Sequence, residues 1–77
     1  MEYLDCSKNY ISSLDNLPES LQILKCNVNN IHSLNKLPNN LIELQCEKNY
    51  ITKLDNLPYN LEKLYCSHNS ITSLENL

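Results

Sequence analysis

Seventy-seven residues with a net charge of −3 and no Arg, Gly, Ala, Trp or Phe leave room for one domain and no large spherical core. Six Lys scattered among nine acidic residues form no basic patch, which argues against a nucleic-acid partner because phosphate binding calls for clustered positive charge. No apolar run reaches the roughly 20 residues of a membrane-spanning helix, and no basic-then-apolar start suggests a signal peptide, so no membrane partner is expected.

The chain is one 20-residue unit written almost four times. Cys6, Cys26, Cys46 and Cys66 share one phase, as do Asn9, Asn29, Asn49 and Asn69, and Ile11, Ile31, Ile51 and Ile71. The unit reads Leu-x-x-Leu-x-Cys-x-x-Asn-x-Ile-x-x-Leu-x-x-Leu-Pro-x-x, and its positions are numbered as slots from Met1. A short fixed period predicts a solenoid, in which each unit buries its apolar side against its neighbours. The expected organisation is a single repeat domain over 1–77, with units 1–20, 21–40, 41–60 and 61–77. It starts and stops in phase, with no atypical capping unit, which suggests a fragment of a longer array or a chain that associates end to end through open ends.

In each unit the first predicted element is a strand. Leu4 and Cys6 alternate with Tyr3, Asp5 and Ser7, and the same Leu-x-Cys pair recurs at Leu24/Cys26, Leu44/Cys46 and Leu64/Cys66. Strands repeating at one phase with a return path between them must pair in parallel, about 4.8 Å apart. The Asn in slot 9 ends each strand. Its two donors and two acceptor lone pairs suit it to pair backbone groups that lose their ladder partners where the chain turns inward. An asparagine ladder is therefore expected, with a structural role for all four Asn.

The return path carries Ile11, Leu14 and Leu17 at a spacing of three, then Pro18. That spacing suits polyproline II or a single 3₁₀ turn better than an α-helix. Pro18, Pro38 and Pro58 fix their own φ and push Leu17, Leu37 and Leu57 into extended geometry. The fold class expected is an α/β-type solenoid lacking helices, with a parallel sheet on one side and a thin, extended or 3₁₀ outer side.

The stretch Leu21-Gln22-Ile23-Leu24-Lys25-Cys26-Asn27-Val28-Asn29-Asn30-Ile31 and its copies resemble the leucine-rich repeat family, with Cys in place of the third Leu and Ile in place of the last. The 20-residue length and the Leu37-Pro38 step are similar to a short bacterial subtype found in secreted effectors, and such repeats also occur in giant-virus proteins. The resemblance implies an arc with the sheet on its concave face, and binding of a protein partner there. Some effectors of the subtype carry a separate ubiquitin-ligase domain with a catalytic Cys. No stretch of this chain resembles that domain, so no catalytic residue carries over and the chain is not expected to be an enzyme.

With Leu and Cys pointing in, the concave face holds slots 3, 5, 7 and 8. Tyr3, Ile23, Lys25, Val28, Tyr65 and His68 are the candidate partner contacts, since Tyr and exposed apolar residues supply binding hot spots. The competing reading of the same face is charge compensation, with Asp5 flanking Lys25 and Glu43 flanking Lys63. Tyr10 and Tyr50, next to the Asn, read as half-buried packing at the rim.

The Cys spacing places Cys6, Cys26, Cys46 and Cys66 in one structural slot as small buried hydrophobes, not as a disulfide framework. Single Cys residues one unit apart cannot converge on a metal ion as close Cys pairs do, so neither metal nor cofactor is expected. Free thiols point to the cytoplasm or another reducing compartment, which is the host cytoplasm if the likeness to effector or viral repeats holds. The functional expectation is a protein-protein interaction module. The alternative is a structural spacer or a self-assembling unit. A flat Ser/Thr row that binds ice fits poorly, because His32 and Lys53 interrupt it.

Overall fold

The computed structural model describes residues 2–72; Met1, Ser73 and Leu77, which the repeat assigns to slots 1, 13 and 17, lie outside them. No helix forms among the described residues, of the α or the 3₁₀ kind. Four short strands, β1 (Glu2–Asp5), β2 (Leu21–Lys25), β3 (Glu43–Gln45) and β4 (Lys63–Tyr65), make one sheet in the order β1-β2-β3-β4. Every pair is parallel. Leu4, Leu24, Leu44 and Leu64 align across it, as do Tyr3, Ile23, Glu43 and Lys63, and Asp5, Lys25, Gln45 and Tyr65. A single irregularity between Glu2 and Tyr3 shifts the start of β1.

Alternation turns the Leu and Cys of each strand to the inside, where they meet the apolar residues of the return path. Leu24, Cys26, Ile31, Leu41, Leu44, Cys46 and Ile51 are fully buried, with Leu14, Leu21, Leu34 and Leu54 nearly so. The residues in the same slots of the first and last units, Cys6, Ile11, Leu61, Leu64, Cys66 and Ile71, are only partly covered. At about 25 cal/mol per Å² of apolar surface removed from water, the two inner units contribute most of the hydrophobic stabilisation.

The return path is extended, and it closes by a turn after each Pro. The Leu21, Leu41 and Leu61 amides donate to the Pro18, Pro38 and Pro58 carbonyls at 3.1, 3.3 and 3.1 Å. These are single β-turn bonds, so no 3₁₀ run is needed to bring the chain back. Further bonds join neighbouring units beyond the sheet: the Asn30, Tyr50 and Ser70 amides donate to the Ile11, Ile31 and Ile51 carbonyls at 2.9–3.0 Å.

Slot 9 sits where the strands end. The Asn29 Nδ2 donates to the carbonyls of Cys6, Cys26 and Asn27, while its Oδ1 accepts from the Asn9 and Ile11 amides at 3.1 Å. Asn49 repeats this with Cys26, Cys46 and Glu47 as acceptors and the Ile31 amide as donor. Asn69 bonds Cys46, Cys66 and Ser67 and accepts from Ile51, whereas Asn9 reaches only Cys6 and Ser7 within its own unit. Asn29 and Asn49 are buried, and among the described residues no buried side-chain nitrogen or oxygen lacks a partner. An amide is the one short uncharged side chain that both donates and accepts in this way.

All four Cys are free thiols; Cys26 and Cys46 are fully buried and Cys6 and Cys66 half-buried. The Cys26 thiol donates to the Gln45 carbonyl at 3.3 Å. Burial pushes the Cys46 thiol up to about 12, with Cys66 and Glu47 adding to it, and pushes Cys26 up as well. Thiols held this firmly in the neutral form are packing groups and not nucleophiles.

Candidate interaction face

The solvent side of the sheet carries the odd slots. Tyr3 is 54% exposed and Tyr65 44%, on strands three spacings apart, or about 14 Å. Ile23 lies between Tyr3 and Glu43 in register and is half-buried by them, so it offers less surface than the sequence pattern suggests. Lys25 lies over the Tyr3 ring with Nζ 5.2 Å from its centroid. The Tyr3 hydroxyl is the main cause that raises the Lys25 pKa, with Asp5 and Glu43 adding to it. Val28 and His68 are exposed beyond the strand ends. The six expected contact residues thus fall into a Tyr3–Ile23–Lys25 group, a Tyr65–His68 group on the last unit, and Val28 at the rim.

The register places Asp5 beside Lys25 and Glu43 beside Lys63. Neither couple closes as an ion pair: among the described residues the sole ion pair is Lys36–Asp15, at 3.6 Å on the return side. Exposed ion pairs gain little in high dielectric, so Asp5 and Glu43 take nearer dipoles and Lys25 a ring. Asp5 accepts from the Ser7 amide at 3.0 Å. Bonds from the Ser7 side chain and backbone are the main causes that lower its pKa, with Lys25 and Lys8 assisting.

A second polar ladder, not foreseen, runs along slot 7. The Asn27 amide donates to Ser7 Oγ at 3.1 Å, and the Glu47 amide donates to Asn27 Oδ1 at 2.8 Å. Asn27 Nδ2 donates to Gln45 Oε1, Gln45 Nε2 donates to Glu43 Oε2, and Ser67 Oγ donates to Glu47 Oε2 at 2.6 Å. The signal was present in the sequence: slot 7 holds Ser7, Asn27, Glu47 and Ser67, each with a side-chain oxygen.

Slot 8 is left-handed in all four units: Lys8, Val28, Lys48 and His68 have φ of 60°, 58°, 58° and 57°. The backbone of Lys8, Val28 and Lys48 is held there from both sides. The Asn of slot 9 bonds the two preceding carbonyls, and the Lys8, Val28 and Lys48 amides donate to Asn27, Glu47 and Ser67 carbonyls at 2.8–3.0 Å. A β-branched residue is a genuine outlier in this region, so Val28 carries roughly 1–2 kcal/mol of strain. Asn16 and Asn56 also turn left-handed on the return path, a conformation Asn tolerates.

Of the two aromatics expected to pack half-buried at the rim, Tyr50 does so and Tyr10 does not. Tyr10 is 91% exposed and packs on nothing. Tyr50 stacks on His32, with centroids 5.7 Å apart and planes at 22°, but half of it stays exposed. Tyr50 draws that contact from the unit before it, and no described unit precedes Tyr10. Tyr59, which the pattern did not single out, stands 98% exposed on the turn after Pro58. On the return side, a shallow cleft of about 260 Å³ lies between Ser13, Leu14, Asp15, Ser33, Asn35 and Lys36.

Among the described residues no group of three or more His, Cys, Asp and Glu is arranged to hold a metal ion, and no helix is long and apolar enough to cross a membrane. Compared with protein-family models and with curated proteins, the chain matches none.

Proposed function

We propose that this chain is a leucine-rich repeat solenoid that serves as a protein-protein interaction module and not as an enzyme, with the solvent face of its sheet as the docking surface. The observation that carries this reading is the set of side chains left open on that face. Tyr3, Val28 and Tyr65 stay between 40% and 54% exposed on a rigid, hydrogen-bonded backbone. Tyrosines held in this way bind with little entropic loss. Peptides selected from a display library test it: binding should be lost with Tyr3→Ser/Tyr65→Ser and kept with Tyr59→Ser, which lies away from the sheet. Equal loss in both variants would refute the assignment of the face.

A second reading, a spacer that associates with itself, draws support from β1. Its residues are all exposed, and Leu4 is 37% exposed where Leu24 and Leu44 are fully buried. Among the described residues no strand pairs with its outer edge, and such an edge is a template for another strand. Sedimentation across a concentration series separates the two readings.

A further inference from the structure

Resting on the sheet face as the docking surface, we propose that its rim, the row Lys8, Val28, Lys48 and His68, selects an acidic, extended segment of a protein partner. Carboxylates of that segment sit on Lys8 and Lys48, on either side of an apolar contact with Val28.

Three observations lead to this occupant. The first is the difference in how the charged groups are partnered. Asp5, Glu43 and Glu47 each accept a hydrogen bond from a neighbour on the face. Among the described residues the sole ion pair is Lys36–Asp15, on the other side of the molecule; Lys8 acts on Asp5 only at a distance, and neither Lys8 nor Lys48 closes an ion pair. The rim therefore carries two exposed ammonium groups outside any ion pair, on a chain whose net charge is −3.

The second observation is rigidity. All four rim residues share one left-handed conformation and are exposed. The amides of Lys8, Val28 and Lys48 are tied to the next unit, so the side chains stand at the fixed pitch of the ladder. Lys8 and Lys48 are two strand spacings apart, about 10 Å. A polyproline II segment rises about 3.1 Å per residue with three residues per turn, so residues three apart share a face at about 9 Å. An acidic residue at every third position matches the two lysines.

The third observation is Val28, which occupies the midpoint of the row in a strained conformation and is 40% exposed. Strain held by the surrounding bonds at an exposed apolar residue marks a contact point more than a packing need. With cations on either side, it favours a partner that is acidic and not uniformly apolar.

The test is fluorescence anisotropy with a labelled peptide of repeated Glu-Pro-Pro triplets, against Gln-Pro-Pro and Lys-Pro-Pro peptides of equal length. The Glu peptide should bind at least about tenfold more tightly than the Gln peptide, and should weaken as salt rises from about 0.05 to about 0.5 M. Lys8→Glu/Lys48→Glu should abolish binding, and Lys36→Glu/Lys53→Glu, on the return side, should leave it unchanged. Equal binding of the Gln peptide, or equal loss in both double variants, overturns the proposal. If a Gln peptide binds and Tyr3→Ser/Tyr65→Ser abolishes it, acidic selection is wrong while the docking face stands. If no peptide binds and the chain self-associates in a way that Lys8→Glu/Lys48→Glu prevents, the occupant is a second copy, and the proposal fails.

Discussion

The side-chain amide of Asn49 donates to the backbone carbonyl of Cys26, 23 positions earlier in the chain, at 3.1 Å, and to that of Cys46 in its own unit at the same distance. One side chain thus closes the ends of two strands, and Asn29 does the same for Cys6 and Cys26. The first prediction follows from the groups this leaves behind. Asn49→Ala leaves the Ile31 amide unpaired in a buried place, at roughly 1–3 kcal/mol, and takes one of two donors from the Cys26 and Cys46 carbonyls, which keep Asn29 and Asn69. Thermal or urea unfolding should show a loss of about 1–3 kcal/mol for Asn29→Ala or Asn49→Ala, and much less for the exposed Asn9→Ala. Equal, small losses at all three positions would mean that water takes over the Asn bonds.

Val28 offers a change in the opposite direction. Asn tolerates the left-handed region that Val28 occupies, so Val28→Asn should stabilise the fold by about 1 kcal/mol, read as a higher midpoint in urea. The same change at Leu24, a fully buried strand position, should unfold the chain. A lower midpoint for Val28→Asn would show that Val28 packs better than its exposure implies.

The thiols set an alkaline limit. In the unfolded chain Cys46 titrates near its ordinary 9.0, and in the folded chain burial raises it to about 12. A raised folded pKa gives stability that is whole below the unfolded value and lost as pH climbs toward the folded one. Unfolding free energy should therefore fall between pH 9 and 12, by about 1 kcal/mol per buried thiol at pH 10. Cys26→Val/Cys46→Val should fold and flatten this part of the profile. An unchanged slope in the double variant would assign the alkaline loss to Tyr or Lys.

Cost should also depend on position within the stack. Leu24 and Leu44 are fully buried, whereas Leu4 is 37% exposed in the same slot. Leu24→Ala should lose roughly 2–5 kcal/mol. Leu4→Ala should lose about 1 kcal/mol, since less of its surface leaves water. Hydrogen exchange on the monomer should show the same order, with the Cys26 and Cys46 amides protected longer than that of Cys6. Equal losses for the two Leu variants would mean that β1 is as well covered as β2.

Much of the fold is legible because the period repeats each constraint in phase. Leu-x-Cys marks which side of every strand turns inward, and slot 9 is Asn in every unit because its donors and acceptors serve one recurrent pair of strand ends. The face is less legible. Opposite charges at Asp5 and Lys25 align in register, yet Ser7 takes the carboxylate and the Tyr3 ring takes the ammonium. Side chains on an exposed surface choose among several weak partners, and a pattern of residue types does not rank them.

The linear chain by itself determines the unit, the parallel pairing and the inward row, since periodic burial and short extended returns leave no room for helices. The left-handed turn at slot 8 is a decision of the tertiary structure. Lys8, Val28, Lys48 and His68 include no Gly or Asn to announce it, and Val28 opposes it. In Lys8, Val28 and Lys48 two bonds hold that conformation: the slot 9 amide of the same unit on one side and the next unit's carbonyl on the other. The second of these exists only once adjacent units have stacked.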